Sequence, residues 1–265
     1  MPTDRPSRAR PSGLRATLAT PLARTVLAAV VASAIGIAIG LTIHWFPVQA
    51  SAQSRRTDTL YYVLVIVSVP IFVLVVTVIL YCVWQFRVRP GQELQDGPPI
   101  HGNTRLEIIW TAAPAVLIIG LVSYALIVLH NNEAKGAGGE LQVKVTGQQF
   151  AWSYEYPASG GGATVRSDVL YLPEGQSVNF KMTSLDVIHA FWVPAFRLQQ
   201  DVVPGVTTSY RATPTRTGVY DVVCNELCGL GHTVMRTSVH VVAQAQFQAW
   251  LKGKQGKTAP SGAAG

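Results

Sequence analysis

Two thiols, an imidazole and a thioether fall within one short stretch, Cys224-Asn225-Glu226-Leu227-Cys228-Gly229-Leu230-Gly231-His232-Thr233-Val234-Met235. A second imidazole, His189, lies well upstream. Soft sulfur donors and imidazoles together select copper over hard cations, because thiolate and thioether suit Cu(I) and imidazole suits both oxidation states. A mononuclear electron-transfer copper needs one Cys, two His and a weak axial Met. Here there is one Cys too many, and the economical explanation is a second copper with both thiolates bridging the pair. Such a pair shares charge and changes oxidation state with little rearrangement. Other readings of the same residues explain less. A Cys224–Cys228 disulfide is permitted in an exported domain but leaves the His and Met spacing without a purpose. A structural two-Cys, two-His zinc site has no use for Met235. Chance placement of these residues in a core is improbable when the chain holds only 3 Cys and 3 Met.

The chain that must position these donors has 265 residues, of which only 13% are charged, and a mean hydropathy of +0.28. That is too apolar for an ordinary soluble enzyme, and the apolar residues concentrate in the first half. The net charge of +7 does not mark a nucleic-acid binder. Its excess lies in an N-terminal tail with Arg5, Arg8, Arg10, Arg15 and Arg24 and a C-terminal tail with Lys252, Lys254 and Lys257. Between Glu140 and Trp250 acidic residues slightly outnumber basic ones, so a cationic footprint for phosphates is lacking.

Residues 1–24 read as a basic cytoplasmic tail. Residues 25–52 hold a charge-free apolar run from Thr25 to Pro47 followed by Ala50-Ser51-Ala52. The tail, run and small residues fit a secretory signal, yet the run is long enough to cross a bilayer as an extra helix. Both readings stay open. Residues 58–132 read as a transmembrane helical hairpin. One span, Thr59 to Phe86, is flanked by Tyr61, Tyr62 and Trp84; the other runs from Ile108 to Leu129. Arg87, Arg89 and Arg105 place the loop between them in the cytoplasm and the remainder of the chain outside. Pro70 and Pro114 fall inside the spans, which membrane helices tolerate. Cys82, also in a span, reads as a buried hydrophobe. Glu107 stands at the cytoplasmic mouth of the second span, where helix-dipole stabilisation is its simplest role.

After a polar, Gly-containing linker the hydrophobic period becomes two, with Leu141, Val143 and Val145 alternating with polar neighbours as half-buried strands do. Strand-like runs recur around 169–172, 177–182, 207–212, 219–223 and 237–242, separated by Gly, Pro and Ser clusters such as Ser159-Gly160-Gly161-Gly162. Many short strands favour a β-sandwich or barrel, here over residues 140–251. The copper stretch then occupies a loop between two strands, held by a rigid scaffold, while His189 comes from elsewhere in the barrel. Residues 252–265, rich in Gly, Ala, Ser and Lys, read as a disordered tail. No C-x-x-C-H haem attachment motif occurs.

The C-x-E-x-C-x-x-x-H-x-x-M pattern, with Ser184-Leu185-Asp186-Val187-Ile188-His189-Ala190-Phe191-Trp192-Val193-Pro194 ahead of it, resembles subunit II of cytochrome c oxidase, the copper A subunit of haem-copper oxygen reductases. The resemblance spans about residues 58 to 250. It includes the block from His101 to Thr111 with Pro114, the block from Gly147 to Tyr156, and a weaker one from Gln200 to Gly205. It implies membrane-anchored all-β architecture: a helical hairpin followed by a cupredoxin-like Greek-key β-barrel. It also implies ligand roles. Cys224 and Cys228 would bridge two copper ions, His189 and Met235 would complete one, and His232 with the Glu226 backbone carbonyl the other. The Glu226 side chain would reach a magnesium ion shared with subunit I, and Glu107 would sit near the mouth of a proton pathway. The family's leading Trp, which accepts the electron, is replaced by Phe150, leaving Phe150 and Trp152 as candidates for electron input.

The implied function is that of the electron-accepting subunit of a respiratory oxidase in a bacterial-type plasma membrane. It would take electrons from cytochrome c and pass them to haem in subunit I, where oxygen is reduced with proton translocation. Subunits I and III, cytochrome c and lipid would be its partners, and nucleic acid would not. A cytochrome c carrying lysines around its haem edge would meet Glu155, Asp168, Asp186 and Asp201. Subunit II of a quinol oxidase would lack the copper ligands. Nitrous oxide reductase would need a second His-rich domain. A membrane-anchored copper carrier or chaperone would favour a more open site.

Overall fold

A long apolar run can satisfy its backbone in hydrocarbon only as a helix, and the three apolar runs are helices in this computed structural model, which describes residues 20–88, 90–91, 99, 101–134, 139–157 and 164–258. The tail over 1–19, Arg89, the Ser159–Gly162 cluster and residues 259–265 lie outside the described residues. Helix α1 spans Pro21–Thr42, α2 Ala52–Phe86 and α3 Thr104–Glu133, each long and apolar enough to cross a membrane. Pro70 and Pro114 are inside α2 and α3 as expected. Cys82, expected to be buried, is exposed. It lies on the apolar outer surface of α2, where Leu74, Val78, Leu80 and Val83 are exposed too.

The chain divides into two units, Met1–His44 with Tyr61–Leu117, and Trp45–Leu60 with Ile118–Gly265. In the first, Gly36 and Gly40 lie one turn apart on α1, and a Cβ added there would come within 2.8 Å of Val69 Cγ1 and 2.9 Å of Val65 Cγ1 on α2. Small residues four apart let membrane helices approach closely, so α1 has a fitted seat on α2. At the start of α3 the Leu106 N–H donates to Asn103 Oδ1 and the Asn103 N–H donates to Glu107 Oε1, each at 3.2 Å. Reciprocal capping of this kind satisfies donors that a helix start leaves free.

Among the described residues the second unit contains ten strands: β1 Leu141–Gln148, β2 Ala151–Tyr156, β3 Val165–Ser167, β4 Leu170–Pro173, β5 Val178–Ser184, β6 His189–Val193, β7 Leu198–Val202, β8 Thr208–Ala212, β9 Gly218–Cys224 and β10 Arg236–Val242. They form two five-stranded sheets, β3-β2-β1-β5-β8 and β4-β10-β9-β6-β7. Alternating inward residues such as Val143, Val145, Phe180 and Met182 from the first sheet and Phe191, Leu198, Val222 and Val239 from the second build one buried core. Helix α4, Gln244–Thr258, sets Phe247 and Trp250 against Tyr156, with Trp250 stacked on Tyr171 at 4.5 Å. The helix continues through residues 252–258, which by composition were expected to lack structure.

Residues 45–58, expected to divide between a signal or extra helix and the hairpin, are built into the β unit. The Ala50 N–H donates to the Ala195 carbonyl at 3.0 Å, the Thr215 N–H to the Ala50 carbonyl at 2.9 Å and the Ala52 N–H to the Thr213 carbonyl at 3.0 Å. Ala50 and Ser51 are buried. Asp58 receives Arg197 through two bonds, Nε at 2.7 Å and Nη2 at 2.8 Å, and the guanidinium also reaches the carbonyls of Pro194 and Pro47. Both side chains are buried, and a buried ion pair persists only when so fully bonded. Arg197 adopts a left-handed φ of 54°, which costs a non-glycine residue about 1–2 kcal/mol, and these four bonds hold it there.

Cleavage after Ala52 would strip Ala50 and Ser51 out of their slot and discard the helix seated on Val65 and Val69. Amino-terminal sequencing and intact mass of the purified protein are therefore expected to show a chain beginning ahead of Trp45. A mature terminus at Gln53 would contradict this.

Candidate metal centre

His189 opens β6, Cys224 closes β9, and Met235 immediately precedes β10. Strands β9 and β10 pair with Val223 opposite Arg236, so Cys224 and Met235 face each other across the next step. The Cys224 N–H donates to the Met235 carbonyl at 3.1 Å, and the Asn225 N–H to the Ala190 carbonyl at 3.0 Å. Pairing of Phe191 with Cys224 brings the start of β6 alongside. The intervening loop, 225–235, carries Glu226 and Cys228 and a 3₁₀ turn, His232–Val234.

Every donor expected from the sequence meets in one cluster. Cys224 Sγ is 3.8 Å from His189 Nδ1 and 3.9 Å from Cys228 Sγ. Cys228 Sγ is 3.6 Å from His232 Nδ1 and 3.8 Å from Met235 Sδ. The Glu226 carbonyl oxygen lies 3.2 Å from Cys224 Sγ, whereas the Glu226 residue is exposed. For donors about 2.0–2.3 Å from a metal, adjacent corners of a tetrahedral shell stand about 3.3–3.8 Å apart, so the spacing fits metal coordination. The free cysteines Cys224 and Cys228 are too far apart for a disulfide. His189, Cys224, Cys228 and Met235 are buried, and the donor set is soft, which suits copper. Burial, with the neighbouring Cys224 adding to it, pushes the Cys228 thiol up to about 11. Loading the site therefore displaces the proton that the Cys228 thiol holds at neutral pH.

Outer partners fix these ligands. His189 Nε2 lies 2.9 Å from Asp186 Oδ1, which leaves Nδ1 for the cluster, the usual function of a carboxylate behind a ligating imidazole. Desolvation raises the Asp186 carboxyl, but hydrogen bonds from the Gln149 N–H, His189 and the Val187 N–H outweigh it and bring it down to about 2. Phe150 is 37% exposed and covers the loop: a Cβ on Gly231 would come within 2.5 Å of its ring. Trp152 is buried, edge-on to His189 at 5.9 Å and to Phe191 at 5.2 Å. Glu107 is in the other unit and does not join the cluster.

The four carboxylates expected on a docking face divide. Glu155 is engaged by Lys144 at 3.3 Å and Arg166 at 3.0 Å, and Asp186 is committed to His189. Asp168 and Asp201 are exposed. Asp186 was thus legible as a charge and not as a partner of His189, and Gln149 was missed altogether.

Sequence profiles of two parts of one family match the chain: cytochrome c oxidase subunit II, transmembrane domain, over residues 36–128, and its periplasmic domain over 164–242. Cytochrome c oxidase subunit 2 of Thermostichus vulcanus is 33% identical over 81% of this chain and 80% of its own length. That of Synechocystis is 31% identical over 77% and 74%. The chain belongs to the cytochrome c oxidase subunit II family. It is a membrane protein, a subunit of that oxidase, with a periplasmic β domain whose cluster matches a copper A site. Among solved structures, the periplasmic domain of subunit II from Bradyrhizobium japonicum is 29% identical, covers 47% of this chain and 98% of its own, and has a TM-score of 0.42.

Because the folded Asp186 carboxyl lies below its ordinary 3.8, its contribution to stability is present above pH 4 and is lost as the pH falls through about 2. The stability difference between the parent and Asp186→Asn, followed by chemical denaturation, is expected to be constant above pH 5 and to shrink below 4. A difference independent of pH down to 2 would remove Asp186 from this role.

Proposed function

We propose that this chain accepts electrons one at a time from a cytochrome c at a binuclear copper A centre and passes them to haem in subunit I, with subunit III completing the complex. The observation that carries the reading is the set of donors at coordination spacing, with His189, Cys224, Cys228 and Met235 buried and His232 half-buried. When bound, the copper pair supplies a redox couple that holds one electron with little change in ligand position. Cys224 and Cys228 would supply thiolates shared by both ions, His189 and Met235 would complete the hold on one, and His232 with the Glu226 carbonyl on the other. The protein's contribution is to exclude water with the loop and to hold these donors in place before loading, which lowers the reorganisation that transfer requires. Exposed Leu227, Leu230 and Val234 give the loop an apolar surface suited to being covered by a partner.

The exposed Glu226 side chain is free to meet a magnesium ion at the boundary with subunit I, since it is the carbonyl that faces the cluster. Glu226→Gln is therefore expected to retain two copper ions per chain with the parent seven-line EPR pattern, whereas Met235→Leu shifts the midpoint potential. Loss of a copper in Glu226→Gln with an unshifted potential in Met235→Leu would overturn the ligand roles, and a chain that never shows a mixed-valence spectrum would overturn the function.

Phe150 serves as the point of electron input, because it is partly exposed and lies against the ligand loop, while Trp152 is packed behind His189. Glu107 serves a proton pathway in addition to its cap. Phe150→Ala, at full copper content, is expected to slow copper reduction by cytochrome c well beyond Trp152→Phe. Glu107→Ala is expected to slow steady-state oxygen consumption while copper reduction stays fast. Parent rates of copper reduction in Phe150→Ala would move the input elsewhere, and parent turnover in Glu107→Ala would leave only the cap.

A further inference from the structure

The copper ligands all lie on β6, β9 and the loop into β10, which belong to one sheet, whereas Gln149 and Phe150 form the turn between β1 and β2 of the other. Gln149 reaches both ligand segments from across the sandwich. Its backbone N–H donates to Asp186 Oδ2 at 2.7 Å, and Asp186 Oδ1 is the partner of His189 Nε2. Its side-chain Nε2 donates to the Cys228 carbonyl at 2.6 Å. One residue is therefore tied to His189 through Asp186 and to the bridging Cys228 through its own carbonyl.

The approach is prepared from both sides. Gly229 has φ +135° and lies under the Gln149 amide, where an added Cβ would be 2.9 Å from Nε2. Gly231 makes room for the Phe150 ring. At Gly147, the residue before the last pair of β1, a Cβ would be 3.1 Å from His189 Cδ2 and from Trp152 Cζ3. Three glycines thus let the 149–150 turn and its flanking strand close on the ligands without an intervening side chain.

We propose that Gln149 is a positioning residue for the copper pair: its amide fixes the Cys228–Gly229 peptide and, with it, the direction of the Cys228 thiolate. Because Phe150 is the next residue, contact made at the exposed ring and the geometry of the ligand set belong to one rigid turn. The proposal rests on the copper reading above. The backbone N–H that holds Asp186 survives any side-chain replacement, so a substitution at Gln149 removes the Cys228 arm alone.

The test uses the full-length chain in the purified oxidase, comparing parent, Gln149→Leu and Gln149→Glu. Leu keeps bulk but donates no hydrogen bond, and Glu turns an acceptor toward the carbonyl. Both are expected to bind two coppers and to keep the parent melting temperature within a few degrees. Both should shift the visible bands, copper hyperfine splitting and midpoint potential, Gln149→Glu more than Gln149→Leu. Copper should be lost to a competing chelator with about tenfold lower retention, the lower end of what outer-shell changes cost. Gln149→His, which restores a side-chain donor, should recover part of the spectral shift. Parent spectra, potential and retention in both Leu and Glu variants would overturn the positioning role while leaving the copper reading intact. A parent protein without copper would instead overturn the reading on which the proposal rests. If Gln149→Leu fails to fold, the Gln149→Glu and Gln149→His spectra decide the matter.

Discussion

The site depends on holding soft donors from distant parts of the chain at 3.6–3.9 Å from one another, most of them buried. Sulfur and imidazole donors gathered in this way are not attractive to each other without a cation, and burial makes it harder still to ionise a thiol there. The strand ladder supplies what the donors themselves cannot. Phe191 opposite Cys224 and Val223 opposite Arg236 set His189, Cys224 and Met235 at one end of one sheet. Side chains alternate across a strand with a period of two, so a slip of one residue in either ladder would turn Cys224 toward the opposite face. The apolar core beneath, with Phe191, Val222 and Val239 buried, resists that slip. Core packing is thus part of the metal chemistry, because it fixes the register on which the donor spacing depends.

Within the same unit, polar contacts join the chain on either side of the spans to the sheets. Asp58 with Arg197 is one such joint. Arg56 Nη1 on the Asn131 carbonyl at 2.9 Å ties the start of α2 to the end of α3. Arg211 is a second joint to the sheets, bonded to Glu140 at 2.7 Å and to the Glu133 carbonyl at 3.1 Å. Breaking a buried pair by removing one partner costs about 3–5 kcal/mol, since it leaves an uncompensated charge. The Asp58–Arg197 joint is therefore costly to open, and the strap between Trp45 and Asp58 is as much part of the β unit as a strand is.

The clustered donors were readable from the sequence because copper chemistry demands scarce residue types, and 3 Cys and 3 Met in the whole chain leave little room for coincidence. Six strands were readable from alternation. Strand β6 was not, because His-Ala-Phe-Trp-Val is buried on nearly every residue and so has no period of two. Strand β2 does alternate, with Trp152, Tyr154 and Tyr156 pointing inward, but its aromatics drew attention as a block rather than as a strand face. The strap was not readable because its burial is conferred by Ala195, Phe196, Thr213 and Thr215, remote in sequence. Nothing in Ala50-Ser51-Ala52 distinguishes a docked segment from a cleavage site. The spacing of Gly36 and Gly40 was a local signal for a packed helix that the length of the apolar run overshadowed.

Asp186 and Gln149 illustrate a more general limit. A ligand is recognised by what it is, whereas an outer partner is recognised only by what it touches. Both are common polar residues whose roles follow from the meeting of the β1–β2 turn with the loops before β6 and after β9. Their roles also divide the two aromatics beside them. Phe150 shares the turn with Gln149, is partly exposed, and lies where Gly231 leaves no side chain between ring and loop. Trp152 is two residues further along β2, on the inward face, and meets His189 edge-on beneath the cluster. Neighbouring residues on a strand face opposite ways, but residues two apart face the same way; only because the turn interrupts the ladder can Phe150 cover the outside of the loop while Trp152 supports it from within. An aromatic at each position therefore occupies a different physical setting, partly exposed over the loop at one and buried edge-on against His189 at the other, and the turn that separates them is the one that carries Gln149.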